Sequence, residues 1–270
     1  MKIHTYTLQG KRPSNEDQHF NLLNSHNNNK NLYPVNFVGV FDGHGWKAVS
    51  KYIKDNLPKY LLKKGSIKNN IYNKDNKVVT NFINLNYNNI QNKLNKEHPI
   101  VSKRCGSTAV CGIHYFDDNN VPRLWIVNVG DSRAVLCNHK NMPVQLSKDH
   151  KPNSSTEKQR IEKLGGKIKF DGADWRIQDL SLSRAFGDID TAPFVTHKPQ
   201  ISKVKLNKND KFVIFACDGL WDVVSNSNAT KFVNTHIANN YKGNIAKKLA
   251  EYAIKQGSYD NVTVSILFLI

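Results

Sequence analysis

Aspartates that follow apolar strands constrain the fold of this chain more than any other sequence feature. Short runs of apolar and β-branched residues bounded by turn residues predict buried strands. Three such runs lead into an aspartate: residues 37–41 before Asp42, residues 125–129 and Gly130 before Asp131, and residues 212–217 before Asp218. Asp260 stands before a fourth apolar run, 262–270. Turn chemistry explains any one of these pairs alone, but several acids at strand ends could converge on one rim of the fold.

The order of the predicted elements favours an α+β fold. Strand patterns dominate residues 3–41 and 107–137, whereas helical spacing places helices over about 47–63 and within 77–94. Further helices are predicted at 156–164, 230–236 and 244–255. Because the helices occur in separate blocks, the alternation of a doubly wound parallel sheet is missing. The 270 residues, 39% of them hydrophobic, suffice for a large buried core.

Charge and cysteine content bear on partners and compartment. The 39 basic and 22 acidic side chains give a net charge of +17, which predicts attraction to polyanions and acidic proteins. Four cysteines without paired spacing favour reduced thiols, and hence a cytoplasmic or also nuclear protein. The longest apolar run, 262–270, is less than half of the ~20 residues that a membrane-spanning helix needs. We therefore expect no integral membrane association.

The acidic residues favour a hard divalent cation. Packed carboxylates repel one another unless a cation neutralises them, and oxygen ligands suit Mg²⁺ or Mn²⁺ better than zinc or copper. Two such ions can clamp a phosphoryl group and activate a water. His44 follows Asp42 in the same turn, close enough to reach a leaving group, and Arg12 precedes Glu16 and Asp17, where its guanidinium could hold two phosphate oxygens.

A series of motifs extends this interpretation along nearly the whole chain. In order they are RPSNED at 12–17, VFDGHG at 40–45, GSTA at 106–109, VGDSRA at 129–134, SKDHKP at 147–152, GG at 165–166, LSRAFGD at 182–188, CDGLWD at 217–222 and SYDNVT at 258–263. In sequence and order these motifs resemble the PP2C/PPM family of metal-dependent protein serine/threonine phosphatases. One motif alone is modestly specific, whereas nine in order are strongly so.

The resemblance implies a central β-sandwich of two antiparallel sheets, flanked by helices on both outer faces. It implies a single domain over residues 1–270, with a variable flap at about 167–200 beside the active site. It also implies that the acidic strand ends meet at one end of the sandwich, where they form the metal site.

The same resemblance assigns roles to the acidic residues. By motif position, Asp42 bridges two Mg²⁺ or Mn²⁺ ions. The Gly43 carbonyl and Glu16 or Asp17 would ligate one ion or its waters, and Asp218 and Asp260 would hold the other. Asp131 and Asp222 match a third, weaker metal site.

The implied reaction is direct hydrolysis of phosphoserine or phosphothreonine in proteins. A metal-bridging hydroxide would attack phosphorus without a phosphoenzyme intermediate, Arg12 would bind the phosphate, and His44 would protonate the departing oxygen. Phosphorylated proteins are the expected partners of a monomeric enzyme, and no specific nucleic acid is expected.

Two departures from the family pattern keep other functions open. Trp46 replaces a glycine and Asn15 stands where methionine is common, although no ligand position is vacant. An active enzyme is therefore favoured. The first alternative is a regulatory pseudophosphatase that binds phosphoproteins through the same groove. The second, suggested only by the +17 charge, is a metal-dependent nuclease or nucleic-acid binder.

Overall fold

Fifteen strands and eight α-helices account for most of the residues that the structure describes. The structure is a computed structural model that describes residues 1–23, 34–63 and 66–269. The strands are β1 (Lys2–Leu8), β2 (Gln18–Leu22), β3 (Asn36–Phe41), β4 (Gly43–His44), β5 (Gly106–Ser107), β6 (Ala109–Phe116), β7 (Pro122–Val129), β8 (Arg133–Cys137), β9 (Pro143–Gln145), β10 (Lys169–Phe170), β11 (Trp175–Arg176), β12 (Phe186–Gly187), β13 (Gln200–Lys205), β14 (Phe212–Ala216) and β15 (Val262–Phe268). The helices are α1 (Ala48–Leu61), α2 (Ser66–Asn69), α3 (Asn76–Glu97), α4 (Val101–Arg104), α5 (Ser155–Lys163), α6 (Asp218–Trp221), α7 (Asn226–Ala238) and α8 (Ile245–Lys255).

Two five-stranded antiparallel sheets form the centre of the fold. Their strand orders are β1-β15-β14-β8-β9 and β13-β7-β6-β3-β2. Alternate side chains of a strand point to opposite faces, so each sheet has an inner and an outer apolar face. In β14, Val213 and Phe215 contribute to the core between the sheets, whereas Phe212 and Ile214 contribute to the core beneath α7 and α8. The predicted α+β sandwich with helices on both outer faces is confirmed.

The outer face of the other sheet is covered by α1 and α3. Helix α3 begins at an Asp75 cap, whose side chain accepts a hydrogen bond from the Lys77 amide. Its apolar stripe, which includes Ile83 and Tyr87, is buried together with Ile53 of α1. Although α3 has 22 residues, none of the helices in the described ranges is long and apolar enough to span a bilayer.

Strand direction brings the predicted acids to one end of the sandwich. β3 and β7 both pair antiparallel with β6, so they run the same way and their last residues lie at the same end. Gln18 pairs with Phe41, which places the residues just before β2 opposite Asp42. In the second sheet, Leu8 pairs with Val262 and Ala216 with Val264, so β1 and β14 end where β15 begins.

Some predicted boundaries differ from the structure. No strand was predicted at residues 200–205, but they form the edge strand β13, which pairs with β7. An edge strand tolerates exposed lysines because one face remains solvated. Helix α7 extends beyond 230–236 because the Ser225 side chain accepts a hydrogen bond from the Asn228 amide. The last strand ends at Phe268, and Ile270 lies outside the described residues.

Candidate active site

A cleft of about 300 Å³ lies at the acidic end of the sandwich. Its lining includes eight of the residues predicted for the site: Arg12, Glu16, Asp42, Gly43, His44, Asp131, Asp218 and Asp260. The remaining two, Asp17 and Asp222, do not line the cleft. Both are close enough to its acids to interact electrostatically: Asp17 with Asp42, and Asp222 with Asp218. The structure thus brings the predicted acids together, while their individual roles remain predictions.

Asp17 lies beneath the floor of the cleft and is only 3% exposed. Neither of its carboxylate oxygens has a hydrogen-bond partner of normal geometry among the described residues. Burial, together with the nearby Asp260 carboxylate, raises the pKa of Asp17 to about 6 despite polar neighbours that favour its ionised form. A buried carboxylate without partners is costly, so it needs a positive charge or a proton.

The ionised forms of Asp42 and Asp218 are disfavoured for the same reasons as that of Asp17. Burial is the main cause that raises the pKa of Asp42 well above its usual value, and the charges of Asp17 and Asp218 add to it. Burial followed by the Asp131 charge likewise raises the pKa of Asp218. Burial also raises the pKa of Asp222, against the opposing effect of Lys151. Each carboxylate therefore makes ionisation of the others less favourable.

These residues fit a hard divalent cation. The cleft offers several carboxylate oxygens. Asp17 lies just beneath these carboxylates, and neither of its own oxygens has a hydrogen-bond partner among the described residues. A cation bound there would offset both the burial of the charges and their mutual repulsion. The one nearby sulfur atom, that of Cys217, lies close to Asp17 and Asp42. Burial raises the pKa of this thiol well above its usual value, which disfavours the thiolate form that acts as a metal ligand.

A pair of hydroxyl groups holds the loops that carry Asp42 and Asp131. The Asp42 amide donates to Thr108 Oγ1 (3.1 Å), and the Thr108 amide donates to the Asp42 carbonyl (2.8 Å). Thr108 Oγ1 also lies 2.7 Å from Ser132 Oγ, next to Asp131. Gly130 permits this packing, since its φ is +99° and a Cβ there would lie 2.6 Å from the Thr108 methyl group.

Arg12 lies at the rim of the cleft. Its side chain is 59% exposed, and Nη2 lies 2.8 Å from Asp260 Oδ2. Asn261 fixes the adjoining loop, because its Oδ1 accepts from the Glu16 amide (2.8 Å) and its Nδ2 donates to the carbonyls of Gln9 and Ser14. The guanidinium is therefore placed next to an acid while most of it stays open to an incoming anion.

His44 forms the side of the cleft next to Asp42. Its Nε2 lies 2.7 Å from Asp188 Oδ2. Burial by itself would lower the pKa of His44, but the hydrogen bond to Asp188 and the neighbouring carboxylates raise it above its usual value. The imidazolium form is thereby favoured more than in a free histidine, which suits a proton donor.

Residues of the predicted flap form another wall of the cleft. Arg176, Asp179 and Leu182 line the cleft. Leu182 and Ile177 also pack in a small apolar cluster with Ile161 of α5, which attaches this wall to the body of the protein. Trp46, in contrast, is 68% exposed and does not line the cleft.

Sequence reasoning missed two charged residues of the site. Lys151 was given no part in the site, but its Nζ lies 2.7 Å from Asp131 Oδ2 and 3.9 Å from Asp218 Oδ2. Burial opposes its charge, yet the carboxylates raise the pKa of Lys151 above its usual value. Asp188 was assigned no role. Both lie in the quoted motifs, and a charged residue inside a motif was the available signal.

Comparison with known proteins identifies the family. The profile of the family "Protein phosphatase 2C" matches residues 1–262. A PP2C-like domain-containing protein of Acanthamoeba polyphaga mimivirus is 44% identical over 166 residues, which are 53% of this chain and 92% of that protein. A probable protein phosphatase 2C of Oryza sativa subsp. japonica is 36% identical over 259 residues, which are 96% of this chain and 84% of that protein.

A solved structure supports the same fold. The crystal structure of serine-threonine phosphatase 2C from Toxoplasma gondii superposes with a TM-score of 0.82 at 22% identity, covering 98% of this chain and 94% of that chain. The chain belongs to the protein phosphatase 2C family, whose members are metal-dependent hydrolases that act on phosphoserine and phosphothreonine.

Proposed function

We propose that this protein hydrolyses phosphoserine and phosphothreonine in proteins with two Mg²⁺ or Mn²⁺ ions and without a phosphoenzyme intermediate. The observation that carries the proposal is the buried acidic cluster, in which Asp17 and Asp42 lack a compensating charge sufficient to keep their pKa values low. The geometry supports ligand roles for Glu16, Asp17, Asp42, Asp218, Asp260 and the Gly43 carbonyl, and a weaker third site at Asp131 and Asp222.

The ions, when bound, would supply an activated water and offset negative charge on the phosphoryl oxygens. The Arg12 guanidinium, at the rim beside Asp260, would bind two phosphate oxygens of the substrate and orient the ester over the acidic cluster. His44 would hold the proton that the departing serine or threonine oxygen needs.

Lys151 has a supporting role in this arrangement. Its ammonium group, 2.7 Å from Asp131, compensates part of the negative charge on the side of the cluster where the third site is proposed. The lysine is three-quarters buried and cannot withdraw without leaving Asp131 unpaired. It would therefore weaken the affinity of that site for a cation relative to the other two.

The test is hydrolysis of a phosphothreonine peptide by the purified protein with Mn²⁺, followed by addition of EDTA. We expect turnover that EDTA abolishes and excess Mn²⁺ restores. Asp42→Ala and Asp218→Ala should each abolish turnover. Asp55→Asn is a matched control because Asp55 is a half-buried acid on α1 that pairs with Lys51 and does not line the cleft. Activity that persists in excess chelator would refute the proposed mechanism.

The absence of a phosphoenzyme needs a separate measurement. When the reaction with a ³²P-labelled phosphoprotein is quenched in acid, we expect no radioactivity to remain on the enzyme. Label that appears on the protein and disappears at the rate of turnover would contradict direct hydrolysis.

A further inference from the structure

A buried carboxylate contacts the imidazole at the side of the cleft. His44 and Asp188 are 144 residues apart in sequence, yet Nε2 of one lies 2.7 Å from Oδ2 of the other. The Asp188 side chain is only 3% exposed, whereas that of His44 is 26% exposed and lines the cleft. The carboxylate therefore lies behind the ring, on the side away from solvent.

A small antiparallel sheet produces this contact. It consists of β12, β5 and β4, in which Gly106 pairs with both Gly187 and His44. A Cβ at Gly106 would lie 2.0 Å from Asp188 Oδ2 and 2.4 Å from His44 Nε2. Because Gly106 in the central strand has no side chain, the side chains of His44 and Asp188 can meet in the space beside it.

The backbone of Asp188 is held in an uncommon conformation. Its φ of 49° and ψ of 39° lie in the left-handed region, which aspartate adopts more readily than most residues. The Asp188 amide donates to the Cys105 carbonyl (3.2 Å), and the Thr191 amide donates to the Asp188 carbonyl (3.0 Å). Such a conformation persists where the surroundings determine it, and it is frequent at active sites.

We propose that Asp188 is a positioning residue for His44, an inference that rests on the proposed function. A carboxylate only accepts hydrogen bonds, so Nε2 carries the hydrogen that faces Asp188. This leaves Nδ1 as the nitrogen that serves the substrate. In the Asp–His arrangement, the hydrogen bond at one nitrogen fixes the orientation of the ring and the chemistry at the other.

The proton transfer then has a definite course. As water attacks, its oxygen forms a bond to phosphorus and one of its protons passes to solvent. The bond from phosphorus to the serine or threonine oxygen breaks, and its electron pair goes to that oxygen. The oxygen takes the proton from Nδ1 of the imidazolium. The ring remains as a neutral imidazole with its hydrogen on Nε2, still donated to Asp188, and solvent returns a proton to Nδ1.

The experiment compares two leaving groups. Asp188→Asn keeps the shape and tolerates the left-handed backbone, and Asp188→Gly removes the carboxylate at a φ that glycine adopts freely. With saturating Mn²⁺, both variants should lose on the order of 10²-fold in kcat for a phosphothreonine peptide, with KM changed less than about twofold. For p-nitrophenyl phosphate, whose leaving group needs no protonation, the loss in kcat should be much smaller.

Asp210→Asn is the matched control. Asp210 is also a buried aspartate in contact with a histidine, since its Oδ1 lies 3.3 Å from His139 Nδ1 at the opposite end of the sandwich. It should leave the ratio of the two activities unchanged. His44→Ala should show the same selectivity as Asp188→Asn, and the double variant should be no worse than His44→Ala alone, because Asp188 acts through the ring.

Several results would overturn the assignment. Equal losses on both substrates, or multiplicative losses in the double variant, would mean that Asp188 only supports the fold. Equal losses in His44→Ala would remove the acid role of His44 and the role of Asp188 with it. If the wild-type protein were inactive with Mn²⁺, the proposed function itself would fail. If the wild type were active and Asp188→Asn had the same activity on both substrates, only this inference would be refuted.

Discussion

Individual side chains of the cleft have pKa values that differ from those of the same groups in water. Burial and neighbouring charge raise the pKa of Asp42, whereas Asp188 raises that of His44 and so favours its protonated form. Neither effect follows from residue type, because each depends on which groups the fold brings near. Repulsion within the acidic cluster therefore lowers the stability of the metal-free protein, and a bound cation would offset that repulsion.

Asp42→Asn should stabilise the metal-free protein while abolishing activity. An amide at this position removes one of the repelling charges. We expect the free energy of unfolding in EDTA to rise by more than the ~0.5 kcal/mol that surface substitutions usually cause, as measured by urea denaturation at pH 7. Asp55→Asn on α1, which removes only a surface pair with Lys51, should change it little. A decrease in Asp42→Asn would contradict the repulsion described for this cluster.

Arg12→Ala should weaken substrate capture more than metal binding. A lost hydrogen bond to a charged group costs about 1.5–3 kcal/mol, which is about 10- to 100-fold in kcat/KM. Arg12→Lys should recover part of this loss, since it keeps the charge but not the planar fork. Steady-state kinetics and calorimetric titration with Mn²⁺ separate the two effects. Unchanged kcat/KM in Arg12→Ala would rule out a phosphate-binding role.

Among the elements, α5 joins the flap to the body of the protein. Glu157 in its first turn is 1% exposed and lies 2.9 Å from Nη2 of Arg160. It also accepts hydrogen bonds from Arg184 and from Ser183 Oγ (2.9 Å), just before β12. The same carboxylate therefore fixes the helix and the segment that leads to Asp188.

Glu157→Gln should destabilise the protein. Removing one partner of a buried ion pair costs about 3–5 kcal/mol, because the arginines lose their compensating charge. Urea denaturation at pH 7 measures the loss, and Glu162→Gln on the exposed side of α5 is the control, since its salt bridge with Lys158 lies at the surface. If Glu157→Gln lowered the free energy of unfolding no more than Glu162→Gln does, the buried ion pair would not contribute to stability.

The pH dependence of Glu157 has a defined sign. Burial opposes ionisation, but Arg184 and Arg160 lower the pKa of Glu157 to about 2, against an unperturbed value near 4.5. Its contribution to stability is therefore fully present above about pH 4.5 and is lost as the pH falls toward 2. Unfolding free energies measured from pH 6 to 2.5 should fall less steeply in Glu157→Gln than in the wild type. Parallel curves would contradict this assignment.

Some strands can be predicted from sequence patterns alone, and others cannot. Strands that are buried on both faces, such as β3 and β14, were predictable because almost all of their residues are apolar. β13 was missed because lysines alternate through an edge strand, although Lys203 Nζ lies over the Trp125 ring at 5.0 Å. The two-residue strands β4, β5 and β12 carry no periodic signal, and their pairing depends on tertiary contacts.

For the whole molecule, the sandwich gathers residues from both ends of the chain. Strand ends predicted the identity of the acids, but not that Asp17 lies below the cleft or that Lys151 enters the cluster. The Asp188 contact with His44 could not be foreseen, because a separation of 144 residues leaves no local pattern. Such contacts follow from strand direction and register, which sequence periodicity alone does not fix.

Mn²⁺ should raise the melting temperature of the whole protein. A ligand that binds only the folded state at 100 times its Kd adds about 2.7 kcal/mol, which corresponds to a shift of about 5–10 °C for a chain of this size. Differential scanning fluorimetry with added Mn²⁺, against NaCl of equal ionic strength, measures it. The shift should vanish in Asp42→Asn and Asp218→Asn, and an equal shift in those variants would place the stabilising ion elsewhere.

All of the predicted acids lie at one end of the sandwich, and this leaves the opposite end free for engineering. The turns around residues 117–121, 138–142 and 207–210 join strands at that far end. A fluorescent reporter or an affinity handle inserted there would sit at the greatest distance from the catalytic groups that the strand lengths allow. Such insertions would permit the enzyme to be followed or immobilised while its cleft stays accessible to phosphoproteins.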